Sequence, residues 1–355
     1  MKLRAILTST TLACMTAAAS PASSAAEFEW RMATAVAEGS YFYNEFVLRF
    51  VDLAKTLTDG RVQITPYGAG VIVPAFKVYD AVAEGLVETG HSSPGYLVNK
   101  DPTNGIVAAF PGGMGAEAML HWMYAGGGGD LWVQFREQTM GLHPLFVGMH
   151  GSEIYAHARK PLRVAEDLKG LKHRTGGPPG QILKDYFGGN AMAAPQAEIY
   201  GLLERGAIDS AEFATPAANV SDGYYEIARY VIVPGIHTPS SPWELVISKA
   251  RWDALPQDIR HKLELAAQLT TLQSLLKVGV DDLAAMQKIR DNKNEIVKLD
   301  DALIQAYRTS GRDWARKKAA EQKGQGSPWM ERILESYQGF QERWNANAVY
   351  RVKDE

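Results

Sequence analysis

Phe28-Glu29-Trp30-Arg31-Met32-Ala33-Thr34-Ala35 reads as a β-strand with one apolar face. Over residues 41–57 the period changes: Phe42, Phe46, Phe50, Leu53 and Leu57 fall on one side of a helix, which Thr58-Asp59-Gly60 ends. Residues 61–67 alternate again, with Val62 and Ile64 on one face. Pro74 sits in the first turn of a helix that runs to Glu84, and residues 87–93 form another strand. Strand, helix, strand, helix, strand is the pattern of an open, mostly parallel sheet, so the fold class is α/β.

The middle of the chain repeats the theme. Residues 142–149, 153–158, 171–175, 191–194, 210–213 and 243–248 read as strands, and 178–186 and 198–205 as helices. Beyond Pro256 the pattern is helical, over 258–292, 300–322 and 329–347. The glycine run at 126–129 lacks the lysine and Ser/Thr of a phosphate loop and reads as a bend between two helices. These elements divide into two α/β lobes joined by hinges near residues 150 and 240. Lobe 1 takes residues 27–150 and 240–285, lobe 2 takes 151–239, and 286–355 form C-terminal helices that brace them. In such sheets the ligand cleft lies at the strand C-terminal ends, between the lobes.

The first 26 residues read as an export signal: Lys2 and Arg4, then small and apolar residues, then Ser24-Ala25-Ala26 before Glu27. There is no twin arginine, which points to the general secretion route. Cys14 is the chain's single cysteine, and the threonine in Thr11-Leu12-Ala13-Cys14 disfavours a lipid anchor. Cleavage near Ala26 removes it, excluding disulfides, thiolate catalysis and cysteine-based zinc sites. The net charge is −3, and losing Lys2 and Arg4 lowers it to −5. No basic block suggests nucleic acid as a partner.

Arg174 stands in Gly170-Leu171-Lys172-His173-Arg174-Thr175-Gly176-Gly177, a short basic strand running into a glycine turn. A guanidinium there offers a planar two-toothed grip suited to a small carboxylate, against the plainer alternative of a surface arginine. Tyr96 follows a strand where a cleft loop belongs; its hydroxyl either bonds a ligand oxygen or packs. Phe42 and Tyr43 read as core, as do Met119, Trp122 and Met123. The histidines show no HExxH spacing, and Ser152 after Gly151 lacks the second glycine of a hydrolase elbow.

Beyond these readings the chain resembles the periplasmic solute-binding subunits of tripartite ATP-independent periplasmic (TRAP) transporters. The resemblance rests on Gly68-Ala69-Gly70-Val71-Ile72-Val73-Pro74, Ala81-Val82-Ala83-Glu84-Gly85, Gly170-Leu171-Lys172-His173-Arg174 and the stretch Leu203-Glu204-Arg205-Gly206-Ala207-Ile208-Asp209-Ser210-Ala211-Glu212. Lys100-Asp101-Pro102-Thr103, Ala109-Phe110-Pro111 and the glycine run before Asp130 are similar to the 2-oxoacid-binding branch.

The resemblance implies a two-lobed periplasmic binding protein fold, with hinge-linked open sheets and a C-terminal helical extension. It also implies capture of a small organic acid, such as pyruvate or lactate, for a membrane permease. Arg174 then grips the carboxylate. The branch binds its ligand with a cation, and its matching positions here are Glu153, Glu212, Phe213 and Thr238. Glu153 replaces the usual glutamine, Phe213 a tryptophan, and Thr238 a glutamate. Two carboxylates and a hydroxyl suit Ca²⁺ or Na⁺, while His237 beside Thr238 either shifts the metal preference or makes a metal unnecessary. No organic cofactor is implied. The branch pairs through an extended C-terminal helix, which implies a homodimer; Trp329, Ile333, Leu334, Tyr337 and Phe340 make an aromatic stripe that a partner or the chain's own lobes must cover. Two alternatives of other classes remain: an exported metal-dependent enzyme on a small oxo- or hydroxy-acid, with Glu153 or Glu212 as general base, and a sensor that presents its ligand to a membrane kinase.

Overall fold

The computed structural model describes residues 26–350. All of the expected export signal but Ala26 lies outside them, Cys14 included. β1 (Phe28–Thr34) leads through a π-helical turn (Tyr43–Leu48) into α1 (Arg49–Leu57), then β2 (Val62–Tyr67), α2 (Val78–Ala83) and β3 (Thr89–Ser92). β1 pairs in parallel with both β2 and β3, the arrangement that the alternating periods predict. Phe42, Phe46 and Phe50 are buried in the helix face that the spacing marks.

Three helices follow that periodicity alone does not separate: α3 (Asn104–Ala108), α4 (Ala116–Tyr124) and α5 (Gly128–Met140). The glycine run is the bend between α4 and α5, and Gly127 takes a φ of 84° there, which a side chain would resist. β4 (Leu142–His150) then crosses to a second set of elements. These are β5 (Ala156–Ala158), β6 (Lys172–Arg174), α6 (Gly177–Phe187), β7 (Asn190–Met192), α7 (Gln196–Glu204), β8 (Ser210–Ala211), α8 (Pro216–Ser221), α9 (Tyr224–Ile227) and β9 (Tyr230–Val233). The strand expected over 153–158 shortens to β5, and Glu153 keeps only an isolated bridge to Gly235. The chain returns in β10 (Ser241–Ser248) and α10 (Lys249–Asp253), and continues into α11 (Gln257–Asp291), β11 (Glu295–Lys298), α12 (Asp301–Gly324) and α13 (Trp329–Asn347).

The first sheet has the order β2-β1-β3-β10-β4 and the second β11-β9-β5-β8-β6-β7. The chain passes between them from β4 to β5, back from β9 to β10, and once more along α11. The third passage corrects the sequence reading. A boundary at residue 285 falls inside α11, and the segment beyond it is not purely helical, because β11 joins the second sheet beside β9. β11 is hard to see in sequence: its four residues carry charges at both ends.

β10 is fixed by a buried ion pair. Glu244 receives hydrogen bonds from Tyr79 Oη at 2.6 Å, Trp132 Nε1 at 2.8 Å and Arg136 Nη2, and Arg136 Nη2 also donates to Asn104 Oδ1 at 2.8 Å. Both charged side chains are wholly buried. Such a pair is sustained by its full set of partners more than by the charge attraction itself.

The aromatic stripe of α13 is covered by the chain's own core. Trp329, Met330, Ile333, Leu334 and Tyr337 are buried with Phe110, Met114, Trp122, Trp132 and Phe135. Tyr337 meets Trp122 edge-on at 5.1 Å, and its hydroxyl accepts from the amide of Met114. Four members of the stripe, Trp329, Ile333, Leu334 and Tyr337, are thus covered by the chain itself, while Phe340 is half-buried. Met119, Trp122 and Met123 are core, as read.

Candidate functional site

Arg174 ends β6, between β7 and β8 in the second sheet. Backbone around it fixes the guanidinium. Nε and Nη2 donate to Ala194 O at 3.1 and 2.7 Å, and Nη1 donates to Glu212 O at 2.7 Å and to Glu212 Oε1 at 3.2 Å. Its planar group faces the Phe213 ring at 5.7 Å. It is not a surface arginine: the residue is 4% exposed.

Glu153 stands where the chain enters the second lobe, against the corner formed by Pro234-Gly235-Ile236-His237-Thr238. Gly235 is required there, because a Cβ would meet Glu153 O at 1.9 Å. The Glu153 amide donates to Thr238 O at 3.3 Å. His237 Nε2 donates to Glu153 Oε2 at 2.9 Å and lies 3.9 Å from Glu212 Oε2. His150, the last residue of β4, has its Nε2 3.7 Å from Glu153 Oε1.

Burial and charge pull these groups apart. Burial pushes Glu153 up to about 7, although the hydrogen bond from His237 opposes it. Glu212 meets the same burial, but the charges of Arg174 and His237 outweigh it and hold the carboxyl below its usual range. Burial disfavours charge on His237, yet the hydrogen bond to Glu153 and the two carboxylates raise its pKa. His150 and His173 are pushed down to about 4, chiefly by burial, and stay neutral.

A cavity of about 80 Å³ lies between the lobes. Tyr96, Glu153, Arg174, Glu212, Phe213 and Thr238 all line it, so the residues named from the sequence converge on one place. Phe42 does not; it stacks behind His150 at 5.2 Å, as core. Other lining residues escape the sequence reading. Trp243 begins the return strand after the second crossing and contributes an indole Nε1 that is buried without a hydrogen-bond partner. Ala109 lines the wall with a φ of 113°, a strained conformation of the kind that clusters at ligand clamps. Gly176 and Gly177 bring the amino end of α6, with its partial positive charge, to the cavity. The only signals for these are a strand start, a residue before Phe110-Pro111 and a glycine pair.

Glu153, Glu212 and His237 each offer a donor atom, all within 4.8 Å of one another. Two buried carboxylates, with the Thr238 residue in the same corner, fit a bound cation. The arrangement can therefore hold a small acid at two points: a carboxylate on Arg174, and a neighbouring oxygen on a cation between Glu153 and Glu212.

Known proteins share both sequence and shape with this chain. A monocarboxylate 2-oxoacid-binding periplasmic protein from Nostoc sp. (strain PCC 7120) is 28% identical over 321 residues, covering 89% of this chain and 85% of its own. A TRAP periplasmic solute binding protein from Pseudoalteromonas atlantica, solved with bound sodium and pyruvate, has a TM-score of 0.84 and 25% identity over 91% of this chain and 96% of its own. Its counterpart from Colwellia psychrerythraea, solved with bound calcium and pyruvate, gives 0.82 and 25% over 90% and 96%. The model of the bacterial extracellular solute-binding proteins, family 7, matches residues 32–322, and this chain belongs to that family.

Proposed function

We propose that this protein binds a small 2-oxo or 2-hydroxy monocarboxylate, such as pyruvate or lactate, in the periplasm and delivers it to the membrane subunits of a TRAP transporter. The observation that carries the reading is the convergence, at one cavity between the lobes, of a backbone-anchored guanidinium and a two-carboxylate corner. Arg174 takes the carboxylate. Glu212, with Glu153 and Thr238, holds Ca²⁺ or Na⁺ beside the ligand's second oxygen; the cation supplies positive charge that both ligand and carboxylates share. Tyr96 and Trp243 donate to the remaining ligand oxygens, and Phe213 walls the apolar end. Residues 1–26 direct export and are removed. The lobe built on the first sheet and the lobe built on the second close about hinges near 150 and 240. The protein acts as a homodimer.

The test is a calorimetric and thermal-shift screen of small carboxylates against chelated protein, with and without added Ca²⁺ or Na⁺. Pyruvate or a near analogue should bind one per chain, raise the melting temperature and be recovered chemically unchanged. Chelation should weaken it and either cation restore it. If no small monocarboxylate stabilises the protein under any of these conditions, the reading is wrong. A ligand returned altered would favour the enzyme instead.

A further inference from the structure

His150 brings a nitrogen donor to a site otherwise built from oxygens. It ends β4, is buried, and lines the cavity from the side of the first sheet. Two contacts fix its ring. Phe42 stacks on it with an interplanar angle of 10°, and Nδ1 lies 2.9 Å from Gly151 O. A carbonyl oxygen only accepts, so Nδ1 carries the ring's proton. Burial keeps the ring uncharged, which leaves Nε2 with a lone pair and no proton.

That lone pair stands beside a carboxylate. Nε2 is 3.7 Å from Glu153 Oε1. An unprotonated nitrogen cannot donate to the oxygen, and the separation is too long for a hydrogen bond in the other direction. The second oxygen of Glu153 is engaged, because Oε2 accepts from His237 Nε2 at 2.9 Å. That bond uses the proton of His237 Nε2, so this nitrogen presents no lone pair. His150 Nε2 and Glu153 Oε1 are thus two Lewis bases side by side, and Glu212 brings another within 4.8 Å of the Glu153 carboxylate. Two ligands each about 2.1 Å from a zinc ion stand roughly 3.4 Å apart in a tetrahedral shell and at most about 4.2 Å. The observed separation falls between these limits.

We propose that His150 is a ligand to the cation, and that the site therefore prefers a divalent transition ion of the zinc class over Ca²⁺ or Na⁺. His150 Nε2, Glu153 Oε1 and Glu212 are the protein's donors, and the bound acid's own oxygens complete the shell. Na⁺ and Ca²⁺ are hard ions served by oxygen, whereas imidazole nitrogen suits zinc and its first-row neighbours. A metal-binding histidine is commonly oriented by its other N–H on a backbone carbonyl, the contact that Nδ1 makes with Gly151 O. His150 is not among the positions that the family resemblance marks, and the solved relatives with pyruvate hold sodium or calcium.

The inference rests on the proposed binding of a small acid with a cation, and calorimetry separates the two. Chelated protein is titrated with pyruvate in Zn²⁺, Ca²⁺ or Na⁺, and with each cation at saturating pyruvate. Zn²⁺ should bind one per chain, about tenfold or more tighter than Ca²⁺, and should tighten pyruvate more than Ca²⁺ does. Co²⁺ in place of Zn²⁺ should give a visible absorption band that shifts when pyruvate is added. In His150→Gln the ratio of zinc to calcium affinity should fall about tenfold or more, and the cobalt band should change. Circular dichroism checks that this variant folds, and the order of the cations in the wild type tests the preference without it. Pyruvate held as tightly with Ca²⁺ as with Zn²⁺ overturns the inference and leaves the acid-binding reading standing. So does an unchanged ratio in folded His150→Gln, or a cobalt band indifferent to pyruvate. Absence of pyruvate binding with every cation overturns the acid-binding reading, and the inference with it.

Discussion

At the scale of the residue, the hold on Arg174 matters as much as its charge. Three of its hydrogen bonds end on backbone carbonyls, so the guanidinium plane is set before any ligand arrives. Arg174→Lys keeps the charge and loses both the plane and those anchors. It should cost roughly 1.5–3 kcal/mol of ligand affinity, read by calorimetry; an unchanged affinity would exclude Arg174 as a ligand contact. Glu153 carries a pH signature. With its carboxyl raised to about 7, protons and a cation compete for the same oxygens near neutrality. Cation affinity should therefore rise as pH climbs through 7, because the free carboxylate is the binding form. Glu153→Gln keeps an oxygen donor but cannot titrate, so its cation binding should vary less over that window. Equal pH slopes for the two proteins would remove Glu153 from the cation's shell.

At the scale of the element, buried partners decide what is tolerated. Arg136→Met leaves Glu244 charged, buried and short of a donor; it should cost about 3–5 kcal/mol in urea unfolding. A loss below 1 kcal/mol would mean that water reaches Glu244. Ile333→Ala probes the covered stripe of α13 and should cost about 2–5 kcal/mol; a near-neutral result would show that the helix does not sit in the core. These elements also mark how far sequence carries. β1 to β3 and α13 were legible because each keeps one period over its whole length. β11 and the helices before β4 were not, since short or doubly buried segments show no period. At the site, Arg174 announces itself through a strand and a glycine turn. Glu153, Glu212 and Thr238 emerge only by resemblance, because the corner that gathers them depends on Gly235 lying against a backbone eighty residues earlier. Trp243 and Ala109 are brought to the cavity by the packing of the two lobes, which no local pattern encodes.

At the scale of the whole molecule, three passages join the sheets: two loops and the rigid α11. If the lobes close, these links favour a bend about one line over a free tumble of one lobe on the other. Small-angle scattering should show a smaller radius of gyration with saturating pyruvate and Ca²⁺ than without. Superimposable curves would argue for a rigid, preformed site. The enclosure of the cavity reaches further than shape. Arg174, Glu153 and Glu212 are each less than a tenth exposed, so an acid held among them would lose its route to water if the lobes shut over it. Its residence time is bounded by how often the lobes part, whichever acid it is. Acids of quite different affinity would then share a common slowest exit, and a receiving permease that pries the lobes open would set the timetable of unloading for all of them.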